Sequence, residues 1–340
     1  MQSPIRVLVV DDSSFMRGAL VRQIEADPRF KVVDTAVNGR DGVAKTLRLK
    51  PDVVTLDVEM PVMNGLDALK AIVSQSTTPV VMVSAQTQAG AKTTLEALEI
   101  GAIDFIPKSR GAELIHEKLV AAVSARRGRR RVPASRPQAI RLPPLVRPSA
   151  SGRVNAKIVI IGSSTGGPQA LHDVISQLPA GLSVPVVVAQ HMPPQFTTAL
   201  AQRLNDTCAP RVVEAKDGDQ LAKGTVYIAP GGLHLRVTAN ELKVAPDQGE
   251  SLYRPSVDVL AKSALSAFGK QVLGVMLTGM GNDGTAEFVN LRRAGAYNIA
   301  QDQATSVVYG MPRSLFEANG ADEVLPIENI GSRIRTALGC

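Results

Sequence analysis

Three sets of residues in the second half of the chain are of the types that acyl chemistry uses. The first is the turn Gly162-Ser163-Ser164-Thr165-Gly166-Gly167, which follows the apolar run Lys157–Ile161 and precedes a helical pattern. A strand that passes through small residues into a helix sets side chains at the carboxyl edge of a sheet, facing the unpaired N–H groups of the helix N-terminus. Such a turn suits a nucleophile beside an oxyanion site, a phosphate cradle or a plain tight turn. It has neither the Gly-Lys-[Ser/Thr] of a P-loop nor a G-x-G-x-x-G pattern. The second set is a single residue, His191. Of His116, His172, His191 and His234, it alone shares with the serines a place after a predicted parallel strand, Pro185–Gln190, and Met192-Pro193-Pro194 prevents immediate helix formation there. The third is Asp283, within Thr278-Gly279-Met280-Gly281-Asn282-Asp283-Gly284, after the apolar run Gln271–Leu277. Serine, histidine and aspartate from three strand ends make the constellation of a serine hydrolase: a hydroxyl that needs a base, a base that needs a fixed tautomer, and an oxyanion that needs N–H donors. Taken singly, His191 also reads as a structural strand-end histidine and Asp283 as a helix N-cap. Residue type alone does not choose between Ser163 and Ser164.

A separate polar set lies in the first half. Asp11 and Asp12 follow the run Ile5–Val10, Asp57 follows Asp52–Leu56, Ser84 follows Pro79–Val83 and Lys108 follows Ala102–Ile106. In an open α/β sheet this carboxyl edge is where ligands bind. Three converging carboxylates call for a hard cation such as Mg2+. A lysine and a hydroxyl beside them suit a phosphoryl group.

The elements that must position these residues alternate throughout. Residues 1–125 hold five strand–helix units, the helical stretches falling at about Gly39–Leu49, Gly65–Ser74, Lys92–Glu99 and Ala112–Ala125, with one more after Asp11-Asp12-Ser13-Ser14. This predicts a doubly wound, flavodoxin-like α/β domain. Residues 126–153 open with Arg126-Arg127-Gly128-Arg129-Arg130-Arg131 and carry prolines at 133, 137, 143, 144 and 148, which predicts a solvated linker. Residues 154–340 alternate again, with strands at about 157–161, 184–190, 211–214, 225–229, 233–237, 241–245, 271–277 and 297–300. The short strands around Gly231-Gly232 predict an antiparallel hairpin inserted in a second, Rossmann-like doubly wound sheet.

Composition narrows the class. The 340 residues leave room for about two domains, and 44% hydrophobic with 20% charged residues is ordinary for a globular protein. No apolar run reaches the roughly 20 residues that span a bilayer, and Met1-Gln2-Ser3-Pro4 lacks the charged and apolar regions of a signal peptide. Two cysteines, Cys208 and Cys340, without a C-x-x-C spacing, exclude a disulfide framework and fit a cytoplasmic location. The net charge of +7 is local. The stretch from Lys118 to Lys157 holds eleven basic and no acidic residues, and the remainder has 27 basic against 31 acidic. With 3% aromatics and no helix-turn-helix pattern beside the linker, a nucleic-acid partner is not expected, nor is membrane insertion.

Two family resemblances rest on these residues. Residues 5–125 resemble the receiver domain of two-component response regulators, with Leu56-Asp57-Val58-Glu59-Met60-Pro61 around the matching phospho-acceptor. The resemblance implies phosphorylation at Asp57 by a histidine kinase and Mg2+ held by Asp12, Asp57 and the Glu59 backbone carbonyl, with Asp11 acting through water. It also implies phosphoryl contacts from Ser84 and Lys108, and repacking of Phe105 on activation. One departure is Pro107-Lys108-Ser109, where receivers commonly have Lys-Pro. Residues 156–338 resemble the catalytic domain of the chemotaxis protein-glutamate methylesterase, CheB. The matching stretches are the Gly162–Gly167 turn, Gln190-His191-Met192-Pro193-Pro194, Arg254-Pro255-Ser256-Val257-Asp258, Leu277–Gly284 and Gly310-Met311-Pro312. That resemblance implies Ser164 as nucleophile, His191 as base, Asp283 as its orienting partner, the Met280 N–H as an oxyanion donor and Thr165 beside the reacting centre, with no cofactor for the ester chemistry. Family members often carry alanine where this chain has Ser163.

The expected function is a phosphorylation-activated esterase that removes methyl esters from glutamates of methyl-accepting chemoreceptors and deamidates receptor glutamines. Phosphorylation would shift an equilibrium between docked and released receiver arrangements. Two other classes are alternatives: a DNA-binding response regulator, against which the large α/β output domain speaks, and a non-catalytic binding module, against which intact Ser164, His191 and Asp283 speak.

Overall fold

Strand-forming apolar runs and side-chain-capped helices alternate through the first part of the chain: β1 (Ile5–Val10), α1 (Ser14–Glu25), β2 (Phe30–Ala36), α2 (Gly39–Leu49), β3 (Val53–Asp57), α3 (Gly65–Gln75), β4 (Val80–Ser84), α4 (Gln88–Ile100), β5 (Asp104–Pro107) and α5 (Gly111–Arg129). The computed structural model describes residues 3–85, 87–108, 111–129, 152–249 and 251–340. It divides after residue 135 into two units. In the first, five parallel strands lie in the order β2-β1-β3-β4-β5. Val7, Leu8, Val9, Val10, Val54 and Leu56 have no exposed surface, because helices cover both faces of a parallel sheet. Ser13, Asn38, Asn64 and Thr87 start α1–α4, each accepting a backbone N–H from the first turn. Thr87 explains why α4 begins before the predicted Lys92: the cap, rather than apolar spacing, sets its start. Helix α5 runs four residues into the stretch read as linker, and the linker expectation for 130–151 lies outside the described residues.

The second unit contains β6 (Ile158–Ser163), α6 (Gly167–Ile175), β7 (Val186–Gln190), α7 (Phe196–Thr207), β8 (Arg211–Glu214), β9 (Thr225–Ile228), β10 (His234–Val237), β11 (Leu242–Ala245), α8 (Val257–Phe268), β12 (Val272–Met276), α9 (Thr285–Arg293), β13 (Tyr297–Gln301), α10 (Met311–Glu317), β14 (Glu323–Leu325) and α11 (Ile327–Leu338). Seven parallel strands form one sheet in the order β14-β13-β12-β6-β7-β9-β8. The antiparallel pair is β10 with β11, which turns after Val237. The Gly231-Gly232 turn does not close that hairpin. The strand before it, β9, is buried along its whole length and lies inside the main sheet, parallel to β7 and β8. Strand β14 and helix α11 were not predicted. A core of Ile158, Ile160, Val187, Leu260, Met276 and Phe288 joins one face of this sheet to α8 and α9.

The strand orders locate the ligand edges. In the first unit the winding direction reverses between β1 and β3, and in the second between β6 and β12. Crevices at the carboxyl ends of such strand pairs are the sites an open α/β sheet offers.

Candidate active site

The second unit gathers its polar residues at the β6/β12 reversal. In-register pairing of Ser163 with Gln190 ends the β6–β7 ladder, so Ser164 and His191 leave the sheet side by side, and the His191 N–H donates to the Ser163 carbonyl at 3.0 Å. Ser164 N–H donates to the Thr278 carbonyl at 3.0 Å, which ties the serine turn to the loop after β12. Gln190 closes the turn from the other side. Its Oε1 accepts from Ser163 Oγ at 2.7 Å, and its Nε2 donates to the carbonyls of Ser164 (2.9 Å) and His191 (3.2 Å). Ser163 is therefore fully buried and committed to Gln190, whereas Ser164 is half-exposed. That difference, invisible in the residue types, separates the two serines.

His191 Nε2 lies 2.7 Å from Asp283 Oδ2. Asp283 accepts three further bonds, all from the start of α8: Ser256 Oγ at 2.9 Å, Val257 N–H at 2.6 Å and Asp258 N–H at 3.2 Å. Burial works to raise its carboxyl, but the His191 bond and charge and the α8 N–H groups outweigh burial and hold it below the usual carboxylate range. An ionised Asp283 can only accept, so His191 Nε2 carries the proton and Nδ1 holds the lone pair. His191 Nδ1 is buried and has no hydrogen-bond partner, Ser164 included. A lone pair left open at the strand end next to that of Ser164 is what a general base needs, and such bonds often tighten only when substrate is bound.

Donors for an oxyanion surround the turn. Gly166 begins α6 at φ +77° without a side-chain cap; the Gly167 N–H donates to the Ser164 carbonyl at 2.8 Å and Pro168 has none, so the first turn offers the Gln169 N–H. The loop after β12 is pinned to the stretch before α10, since Gly310 and Met311 N–H groups donate to the Gly279 carbonyl at 3.0 and 2.8 Å. The neighbouring Met280 N–H meets no protein acceptor among the described residues. Gly279 itself must be glycine: a Cβ there would stand 2.8 Å from Ser164 Cβ and press on the Met311 sulfur. Thr165 is buried, and its carbonyl accepts from Thr278 Oγ1 at 3.0 Å.

In the first unit, Asp57 ends β3 and Asp11 follows β1, both buried, with exposed Asp12 beside them. The three carboxylates bring oxygens within 4.8 Å of one another. Lys108 Nζ donates to Asp57 Oδ2 at 2.7 Å and lies 3.2 Å from Asp11 Oδ2. Its backbone N–H is fixed on the Ser84 carbonyl at 2.8 Å, so the missing Lys-Pro does not displace it. Burial, abetted by the Asp11 charge and opposed by the Lys108 bond, pushes Asp57 up to about 6. Asp11 Oδ2 is buried and meets the Lys108 ammonium at 3.2 Å. The three clustered carboxylates are a set of hard oxygen donors that fits a divalent cation. Exposed Glu59 joins Asp12, Asp57, Ser84 and Lys108 around a cavity of about 480 Å3. Ser84 Oγ is turned toward α4, accepting from Thr94 Oγ1 at 2.8 Å. Phe105 is buried, with Lys118 Nζ 5.4 Å from its ring centre.

Phe105 aside, the residues singled out from the sequence as site residues fall into these two groups. The other histidines fall outside them: His116 stacks on Phe30, His172 lies on α6, and His234 pairs with Asp247 at 2.9 Å. Sequence reasoning gave no role to Gln190, Tyr253, Ser256 or Asp258. Ser256 was open to detection as the N-cap of the following apolar helix. Tyr253 and Gln190 had no local signal, because their partners are distant in the chain.

Residues 159–334 match the model of the family described as CheB methylesterase, and residues 7–120 that of the response regulator receiver domain. A protein-glutamate methylesterase/protein-glutamine glutaminase of Symbiobacterium thermophilum is 46% identical over 100% of this chain and 98% of its own. One of Halalkalibacterium halodurans is 41% identical over 98% of both. The crystal structure of the Thermotoga maritima CheB methylesterase catalytic domain, 42% identical, aligns with a TM-score of 0.51 over 53% of this chain and 97% of that one. The serine turn, the anchored His–Asp pair and these matches along the whole length lead to one conclusion: the chain belongs to the CheB methylesterase family and carries that family's catalytic domain behind a response regulator receiver domain.

Proposed function

We propose that this protein is a phosphorylation-activated protein-glutamate methylesterase of chemotaxis, acting in the cytoplasm on methyl-accepting chemoreceptors, in which Ser164, His191 and Asp283 do the chemistry. The observation that carries the assignment is His191, with Nε2 fastened to Asp283 at 2.7 Å and Nδ1 buried and unpartnered beside the Ser164 strand end. Ser164 Oγ attacks the ester carbonyl carbon of a receptor glutamate while its proton passes to Nδ1. The oxyanion takes the Met280 N–H, with Thr165 lining the turn. As the tetrahedral intermediate collapses, the C–O bond to the methoxy group breaks and methanol leaves with the proton from His191. Water, deprotonated by the same nitrogen, hydrolyses the acyl-serine and frees the carboxylate. With a glutamine, the same steps release ammonia, the glutaminase reaction named for the relatives.

Control resides in Asp57. A receiver takes its phosphoryl group from a kinase and generally requires Mg2+. Here Asp12, Asp57 and the Glu59 carbonyl would hold the ion, with Asp11 behind them, and the ion would screen the charge of the incoming phosphoryl group. Lys108 and Ser84 face the cavity where that group arrives, and Phe105 is the residue whose repacking would report it. Methanol release from methylated receptor tests the whole reading. Wild type should respond to a small phosphodonor, Asp57→Asn should not, and Ser164→Ala should release none. Full activity in Ser164→Ala would refute the assignment.

A further inference from the structure

One hydrogen bond fixes how far His191 stands from Asp283 but leaves the ring free to rock about that contact, and the aim of Nδ1 at Ser164 depends on the ring plane. Something else must set that plane. The ring of Tyr253 lies flat on the imidazole, with centroids 4.3 Å apart and planes 2° apart. Its hydroxyl reaches over the loop that bears Met280 and Asp283, so that a Cβ at Gly281 would stand 3.1 Å from it. The tyrosine is held at both sides in sequence. Arg254 Nε and Nη2 donate to Asp247 Oδ2 at 2.9 and 2.6 Å, and Asp247 Oδ1 lies 2.9 Å from Nε2 of His234, whose side chain is fully buried. Two and three residues beyond Arg254, Ser256 and Val257 bind Asp283. A strap anchored on one buried His–Asp pair thus lays an aromatic plane against the other.

We infer that Tyr253 is a positioning residue for His191, setting by face-to-face stacking the plane in which Nδ1 meets the Ser164 hydroxyl. A flat aromatic at contact distance resists tilting of its partner because any tilt drives one edge into the ring and opens the other. The proposal rests on the reading of His191 as the base.

The test uses the full chain with methylated receptor and with a small neutral ester. Tyr253→Ala should lower kcat by about 10- to 100-fold on both substrates, as for a misaimed catalytic group, while KM changes less than twofold. Tyr253→Phe, which keeps the plane, should retain most of kcat. Tyr253→Leu, which keeps bulk without a flat face, should behave like alanine, and serves as the second variant if Tyr253→Ala does not fold. Wild-type kcat in both the alanine and leucine variants would overturn the inference. So would an effect confined to KM, which marks a substrate contact, or a loss in Tyr253→Phe equal to that in Tyr253→Ala, which marks the hydroxyl. Ser164→Ala, run alongside, separates the two readings: activity there refutes the site itself, whereas a dead Ser164→Ala with a fully active Tyr253→Ala refutes only the role of Tyr253.

Discussion

Replacing Asp57 by asparagine should stabilise the first unit at neutral and alkaline pH. Asp57 ordinarily would titrate near 3.8 but here does so at about 6, because it is buried beside Asp11 and only partly relieved by Lys108. A carboxyl whose folded value exceeds its unfolded value binds more protons in the folded state, so stability rises as pH falls through about 6 toward 3.8 and is lowest above 6. At about 1.4 kcal/mol per pH unit, the ionised group carries roughly 3 kcal/mol against folding at pH 8, about half of that at pH 5 and under ~1 kcal/mol at pH 4. Asparagine keeps the shape without the charge but leaves Lys108 only Asp11 as an anionic partner, which trims the gain to about 1–3 kcal/mol at pH 8. Native-state hydrogen exchange in the full chain, followed by mass spectrometry on peptides covering β1 and β3 with chelator present, reads this locally. Exchange there should slow in Asp57→Asn by about 5- to 100-fold at pH 8, with the gap to wild type closing toward pH 4 once intrinsic rates are corrected. A variant no more protected than wild type at pH 8, or a gap independent of pH, would refute the account of a charge held buried against its preference.

Other substitutions probe the second unit. Ser256→Ala removes one of four bonds to Asp283 and should cost about 1 kcal/mol of transition-state stabilisation, roughly a fivefold lower kcat with an intact fold by circular dichroism. Gly279→Ala places a methyl 2.8 Å from Ser164 Cβ and should lower ester hydrolysis at least about tenfold, with the loss in kcat rather than KM. Residues 150–340 alone should hydrolyse methylated receptor at a rate indifferent to a phosphodonor, whereas the full chain should respond to it. Equal responses would place control outside Asp57. Chelation of divalent cations should abolish that response in the full chain while leaving hydrolysis of a small ester unchanged.

What was legible in the sequence was whatever is written locally. Doubly wound sheets follow from apolar runs alternating with helical spacing, and the strand ends put Asp11, Asp57, Ser164, His191 and Asp283 on their correct edges. What was not legible depended on long-range pairing. Strand β9 and the residues after Gly231-Gly232 have hairpin spacing, yet β9 is buried all along its length, and burial between β7 and β8 overrides a nearby turn. Strand β14 is three residues long, too short for periodicity to register. Residue types alone did not choose between Ser163 and Ser164, which only the family resemblance separated; the physical reason is Gln190, 27 residues from Ser163 in sequence, which engages that hydroxyl and leaves the other. Tyr253 was likewise silent, since nothing in its neighbours announces a ring lying on His191.

The hold of α8 on Asp283 has a mechanical consequence. Three of the four bonds to the carboxylate come from the first residues of one helix, and that helix also receives α9, since Asp258 Oδ1 accepts from Glu287 N–H at 3.1 Å. The carboxylate is therefore the datum of the site and moves only as α8 and α9 move. Whatever travel the proposed reaction requires falls to the serine hydroxyl, and to the imidazole only within the plane that the Tyr253 ring allows. If Asp283 serves as proposed, a site built this way would recover its alignment after each turnover without reference to the substrate that has just left.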